Sequence, residues 1–386
     1  MARIRSLKVS NPWKLVHRMT VIVLTLLVCS WILADTARSH PLVTVVMSGL
    51  DNPRGLAFGP EGGLYVVEAG RGGTATCTVM KGRTICYGAT GALTRRWRGS
   101  QQRVATGLPS YINPVGEVTG AHDVSFQGRG AAFVTTGWGG DPAARAGFGT
   151  AGALFGSLLR VAAEGRSRDF DDDDAGLFGL NWPHGKKSRS WRAIADVSAY
   201  EAFVNPDRGA IDTNPYGLHT EKGAHVVADA GANALLQVNA RGEVSTLAVF
   251  PSRPARSTDA VPTSVVVGPD GAYYVGELTG APFTEGEASV YRLVPCLAPE
   301  VIAAGFKTII DIDFGPDGSL YVLQYATGPT FFSGPGQVVR VMPDGARSTV
   351  VEGLSFPTSL LVDGDGTVYV SNRGTSIGTG EVLRID

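Results

Sequence analysis

From residue 42 onward the chain alternates short apolar runs with turns rich in Gly, Pro and Asp, and this alternation has a long period. The first unit reads Leu50-Asp51-Asn52-Pro53-Arg54-Gly55-Leu56-Ala57-Phe58, then a Gly/Pro turn, then Leu64-Tyr65-Val66-Val67-Glu68. A Pro-containing entry leads into one apolar run, and the second run closes on a polar side chain. The arrangement returns at residues 262–277, 309–324 and 357–372, and in looser form at 121–136 and 215–229. Apolar runs of this length, punctuated by Gly-Pro-Asp-Gly at 268–271 and 315–318, predict strands joined by tight turns. Six copies in one chain predict a repeat architecture.

Each unit continues into a third strand pattern, at residues 92–97, 157–161, 234–238, 289–293, 337–341 and 381–385. Fourth patterns follow at 103–107, 191–197, 244–249, 300–304 and 348–351, but the sixth unit has none. The segment Val43-Thr44-Val45-Val46-Met47-Ser48-Gly49-Leu50 resembles the fourth strand Ser348-Thr349-Val350-Val351-Glu352-Gly353-Leu354 and can fill that place. Sharing one blade between the two ends closes a ring and removes two sheet edges. The predicted fold is an all-β, six-bladed β-propeller of four-stranded blades, closed by the N-terminal strand. Turns after the first strand of each unit are short. The long connections, at 71–91, 109–122, 138–154, 198–216, 252–263 and 328–336, gather on the opposite face, where scaffolds carry binding sites. One insertion, 166–190, falls on the short-turn face and contains Asp169 and Asp171 to Asp174; without the Gly turn and terminal Glu of an EF-hand it reads as a solvated acidic loop.

Fifty-one Gly and 22 Pro suit many short strands, and a net charge of −1 gives no basis for a nucleic-acid or anionic-membrane partner. Residues 1–39 read separately, as a signal peptide or signal anchor. Arg3, Arg5, Lys8, Lys14 and Arg18 precede an apolar run at 19–34, and Ala37-Arg38-Ser39 has the small-x-small form of a cleavage site. Sixteen residues cover about 24 Å as a helix, short of the roughly 30 Å hydrocarbon core. This predicts a secreted or extracytoplasmic protein, touching a membrane only through an uncleaved N-terminal segment, with residues 40–386 as a single domain. Export permits disulfides, and Cys77 and Cys86 flank the Lys81-Gly82 turn, so a bridge across a local hairpin is expected. Cys296 is expected to be a packed core thiol.

Aligning the six units gives three columns of candidate chemistry. The first ends the second strand: Glu68, Thr136, Asp229, Glu277, Gln324 and Asn372. Carboxylates and amides converging at a rim suit a hard cation such as Ca²⁺, with Asp229 and Glu277, in adjacent blades, as the compatible ligands. A polar residue required in every blade equally suits side chains that cap their own loops through backbone N–H groups. The second column opens the first strand and should ring the channel mouth: Arg54, His122, Tyr216, Thr263, Ile310 and Thr358. These differ almost everywhere, and departure from a repeat is where packing ceases to explain a residue. Arg54 suits a carboxylate, His122 a proton and Tyr216 a ring. The third column lines the channel wall, where Asp123, His219, Asp311 and Asp313 are polar. Asp311 and Asp313 share a face, which favours a raised pKa in one of them, and buried water is the ordinary occupant of such a wall.

Several strings together resemble the ScyD/ScyE family of secreted proteins associated with scytonemin biosynthesis genes. They are residues 49–70, Thr106-Gly107-Leu108-Pro109-Ser110, Gly120-Ala121-His122-Asp123-Val124, Ile194-Ala195-Asp196-Val197-Ser198-Ala199-Tyr200-Glu201, and Asn205-Pro206-Asp207 followed by Asn214-Pro215-Tyr216-Gly217-Leu218. The resemblance spans residues 41–386 and implies a secreted NHL-like propeller, without supplying catalytic residues. Gluconolactonase-like propellers are similar in blade number but carry a metal-binding Glu where this chain has Asn52-Pro53-Arg54. The expected function is a monomeric binding or scaffold propeller taking a small molecule, glycan or protein at its long-loop face. The alternative is an extracytoplasmic metal-assisted hydrolase or lyase of the gluconolactonase or strictosidine-synthase-like type.

Overall fold

The Gly-Pro-Asp-Gly turns act as the pattern requires. Gly271 and Gly318 each hold φ near +77°, a conformation that costs other residues their Cβ contact, and the turns close through Gly268 N–H to Ala272 O and Gly315 N–H to Ser319 O, both at 2.9 Å. Each such turn joins two antiparallel strands, and six sheets result. A computed structural model describes residues 41–74, 76–128, 131–162, 190–251 and 258–386. Residues 1–39, expected to be a signal peptide or signal anchor, and the acidic run at 169–174 lie outside the described residues.

The six sheets are the six blades of an antiparallel propeller. Blades 2 to 5 each follow chain order through four strands, beginning at Ala121–Gln127, Pro215–Glu221, Pro262–Val267 and Ile309–Phe314. Blade 6 contains Ser359–Val362, Val368–Asn372 and Gly380–Ile385, and its outer strand is Val43–Leu50, paired antiparallel with Gly380–Ile385. The ring is thus closed as the repeat predicts. Six apolar clusters fill the six spaces between neighbouring blades, from Tyr65, Val67, Leu159 and Val161 between blades 1 and 2 to Met47, Leu50, Leu56 and Val382 between blades 6 and 1.

Blade 1 departs from the four-strand plan. Its third and fourth strands, Arg83–Trp97 and Ser100–Ile112, run well beyond the blade, and Thr76–Met80 pairs alongside to form a hairpin with register Cys77 to Cys86. The disulfide Cys77–Cys86 closes that hairpin. Much of the expected loops at 71–91 and 109–122 is therefore strand. The hairpin lies over the 3-10 segment Pro142–Leu154, and Ile85, Tyr111, Trp138, Phe148 and Phe155 form a seventh, satellite core between them. The Tyr111 hydroxyl donates to the Trp138 carbonyl inside that cluster. The connection after blade 2 contains an α-helix, Val197–Val204, capped by Asp196 through the Ala199 N–H.

Cys296 corrects the expectation of a core thiol. The strand Ala288–Leu293 ends before it, Leu297 N–H bonds Val294 O in a turn, and Cys296 sits exposed at φ +69°.

Candidate functional site

Four of the six residues in the column that ends the second strand are loop caps. Glu68 accepts from Asp51 N–H at 2.7 Å, Asp229 from Asn214 at 2.6 Å, Gln324 from Lys307 at 2.7 Å and Asn372 from Ser355 at 2.8 Å. Donor and acceptor are separated by 17, 15, 17 and 17 residues, so one contact ties each blade's entry to its own second strand. Asp229 Oδ1 also accepts from Gly231 and Ala232, and its Oδ2 from the Thr213 hydroxyl at 2.7 Å. Burial raises the Asp229 carboxyl while these donors lower it. Thr136 instead donates to Leu154 O at 2.6 Å, and Glu277 lies buried at the matching place opposite Pro262. Glu68 is the most heavily bonded member: Arg103 grips it through two nitrogens, at 2.9 and 2.6 Å, and the Thr94 hydroxyl donates to it. Among the described residues no cluster of three His, Cys, Asp or Glu is arranged to hold a metal ion.

The channel-wall carboxylates staple neighbouring blades. Asp123 accepts from its own neighbour Val124 and, across the blade interface, from Leu218 N–H, both at 2.7 Å. Asp311 reaches Leu360 N–H and the Ser359 hydroxyl at 2.8 Å, and Asp313 reaches Val362 N–H at 2.7 Å. Ser125 and Ser359 do the same for Thr220 and Leu56 N–H. Gly55 makes room for this device, since a Cβ there would stand 2.1 Å from Asp123 Oδ1. Burial raises Asp123 well above the usual carboxylate range, and repulsion from Asp311, three blades away across the channel, adds to it. Burial likewise raises Asp313 to about 6. His219 lies further along its strand, near Tyr273 with ring centroids 6.5 Å apart, and burial lowers its pKa.

The mouth column divides into two alternating halves. In blades 2, 4 and 6 the residue reaches the first inner carbonyl of the next blade: His122 Nδ1 lies 3.1 Å from Pro215 O, Thr263 donates to Ile309 O at 2.9 Å, and Thr358 to Pro53 O at 2.7 Å. His122 and Thr263 are therefore interblade latches. The His122 bond to a carbonyl places its proton on Nδ1. In blades 1, 3 and 5 the residues are Arg54, Tyr216 and Ile310. None makes that latch, and all three line one cavity.

This cavity measures about 160 Å³ and is walled by Arg54, Tyr216, Leu278, Ile310, Tyr325, Phe332 and Thr358. Arg54 is 9% exposed; its Nη1 donates to Gly374 O and its Nη2 to Val118 O at 3.3 Å. Phe332 packs edge-on to Tyr325 at 5.1 Å and stacks on Phe283 at 4.1 Å, while Tyr325 also touches Phe356 at 5.4 Å. Phe331, Phe332 and Phe356 remain exposed at the rim, by 60%, 37% and 37%. Of the residues expected at the mouth, Arg54, Tyr216, Ile310 and Thr358 line the cavity, whereas His122 and Thr263 do not; Leu278, Tyr325 and Phe332 were not singled out by the sequence. A larger cavity of about 310 Å³ opens on the short-turn face between blades 2 and 3, lined in part by Phe133, Arg160 and His225, and contains none of the predicted site residues.

His122 packs against Tyr216 with ring centroids 4.5 Å apart and planes tilted by 37°, and burial, then the Arg54 charge, push its pKa down to about 3. The unfolded chain, with an ordinary value near 6.5, protonates first as pH falls. His122 thus destabilises the fold progressively below about pH 6.5 and has no effect above it, with a limit on the order of 4 kcal/mol near pH 3. The expected NMR signature is a His122 ring resonance that stays flat from pH 8 to pH 5; a midpoint near 6.5 would show a ring open to water.

No protein-family model matches the chain, and comparison with curated protein sequences finds no match. Solved structures share the fold at very low identity. A protein of unknown function from Bacteroides thetaiotaomicron aligns with TM-score 0.51 and 9% identity over 89% of this chain and 75% of its own. The PQQ-bound aldose sugar dehydrogenase of Streptomyces coelicolor aligns with TM-score 0.51 and 12% identity over 90% and 98%. Virginiamycin B lyase from Staphylococcus aureus aligns with TM-score 0.45 and 11% identity over 89% and 99%. The two likenesses at TM-score 0.51 agree with the fold that the six sheets define, a six-bladed β-propeller.

Proposed function

We propose that this chain is an extracytoplasmic ligand-binding propeller of the ScyD/ScyE kind, taking its ligand at the channel mouth on the long-loop face. One observation carries the reading: where three of six blades abandon the interblade latch, their residues Arg54, Tyr216 and Ile310 converge on a single cavity with an exposed aromatic rim. Glu68, Asp229, Gln324 and Asn372 are already engaged in caps, and Asp123, Asp311 and Asp313 in staples, that hold the ring. The basic-then-apolar N-terminal sequence and the Cys77–Cys86 bridge support export. No helix among the described residues is long and apolar enough to cross a membrane.

A thermal-shift screen of small molecules tests the assignment. Compounds that raise the melting temperature of the wild-type protein should lose that effect in Tyr325→Ala, whose ring walls the cavity. Shifts retained in Tyr325→Ala but lost in His225→Ala, at the opposite face, would move the site to the larger cavity and overturn the proposal.

A further inference from the structure

We infer that the mouth cavity binds an organic anion, a carboxylate or similar oxyanion carried on a flat apolar or aromatic body; this rests on the mouth being the ligand site. The starting point is Arg54. The residue is 9% exposed, and its two side-chain hydrogen bonds go to neutral backbone carbonyls, Gly374 O and Val118 O. Its Nε is buried without a hydrogen-bond partner, and among the described residues no carboxylate forms an ion pair with it. A guanidinium offers five N–H donors in a planar fork, so part of the fork is unused. Buried charges in proteins are paired or hold a ligand, because an unpaired one loses its hydration for nothing in return.

The groups around Arg54 do not pair with it: Glu117, next to Val118, is exposed and is held by Asn113 and Arg83. His122 is neutral, and Tyr216 and Tyr325 keep their phenolic protons because burial raises both. Asp123 and Asp311 stand one step further along the inner strands and are engaged by Leu218, Leu360 and Ser359. A carboxylate entering the cavity would meet the guanidinium in a desolvated setting, where a charge-assisted pair is strong and bidentate geometry is available.

The walls define the rest of the ligand. Tyr216, Tyr325 and Phe332 present rings, and Leu278 and Ile310 close the sides. At about 160 Å³ the cavity is smaller than the roughly 300–1,000 Å³ that encloses a drug-sized molecule. It suits a single ring, or the anionic end of a larger molecule whose body continues over Phe331 and Phe356. Phe283 and Phe331 hold these aromatic positions at φ +58° and +41°, in a region that bulky residues rarely occupy.

Calorimetric titration of the secreted-form chain, residues 41–386, with benzoate, benzyl alcohol and inorganic phosphate tests this. Benzoate should bind at least tenfold more tightly than benzyl alcohol or phosphate. Arg54→Gln, which keeps a donor for Gly374 O, should weaken benzoate at least tenfold, and Phe332→Ala several-fold. If Arg54→Gln fails to fold, the comparison of probes on the wild type and Phe332→Ala decides. Benzyl alcohol binding as tightly as benzoate, with both weakened by Phe332→Ala, would leave the mouth as a ligand site and overturn the anion. Phosphate matching benzoate, with Phe332→Ala unchanged, would overturn the aromatic body. No binding by any probe at millimolar concentration would overturn both the inference and the site it rests on.

Discussion

Removing residues 1–50 should abolish the cooperative fold, and this is the largest single effect expected. Val43–Leu50 is the outer strand of blade 6, so its loss leaves Gly380–Ile385 as a bare edge. It also removes Met47 and Leu50, each 1% exposed, from the core between blades 6 and 1. Emptying two such sites costs about 2–5 kcal/mol each. Lost ladder hydrogen bonds, each contributing about 0.5–1.5 kcal/mol, add to this. The sum rivals the roughly 5–15 kcal/mol that holds a typical protein folded. Melting by circular dichroism and size-exclusion chromatography of residues 51–386 against 41–386 should show loss of the transition and aggregation. A truncated chain that melts within a few degrees of the longer one would refute ring closure by the N-terminal strand.

Glu68→Ala should be the most damaging point substitution among the repeated polar positions. Glu68 is fully buried and serves Asp51 N–H, the Thr94 hydroxyl and the Arg103 fork together. Arg103 also holds Asp51 at 2.8 Å, and Arg71 reaches the same oxygen at 2.7 Å, so one carboxylate anchors a network. The Arg103 side chain is 39% exposed, which tempers the ionic part. The orphaned Asp51 N–H and Thr94 hydroxyl are buried and cannot turn to water. Breaking a buried pair of this kind costs about 3–5 kcal/mol. In a domain of this size that lowers the melting temperature by roughly 4–7 °C. Glu68→Gln should fall between, since the amide keeps one acceptor oxygen. An unchanged melt for Glu68→Ala would mean the cap contributes nothing to the ring.

The blade plan was legible because it is written six times. Turns such as 268–271 and 315–318, strand endings such as Glu68 and Asp229, and the echo of residues 348–354 in 43–50 all gain force from repetition. The loop caps were legible for the same reason, as one of two readings of a polar column. The mouth was half legible. Arg54 and Tyr216 break the repeat and line the cavity, but His122 and Thr263 break it too and are latches, since imidazole and hydroxyl can reach the same neighbouring carbonyl. Sequence alone cannot separate them, because the deciding partner, Pro215 or Ile309, is contributed by the next blade. Leu278 and Tyr325 did leave a signal: they follow the polar residue that ends the second strand, where blades 1 to 3 have Ala69, Gly137 and Ala230 and blade 6 has Arg373. Phe332 left none, since the connection at 328–336 has no repeat frame. Loop length misled in blades 1 and 2, where Tyr111, Trp138, Phe148 and Phe155 pack the long connections against each other. The open part of the mouth lies instead beside blades 4 to 6.

The account separates polar residues that hold the ring from those that face a ligand, and a paired measurement tests that division most directly. Melting temperature and benzoate affinity are measured side by side on Arg54→Gln and Asp229→Asn. Arg54→Gln should lose benzoate and melt within a few degrees of the wild type, whereas Asp229→Asn should melt lower and bind benzoate as before. A folded Asp229→Asn that no longer binds, or an Arg54→Gln that binds like the wild type, would contradict it.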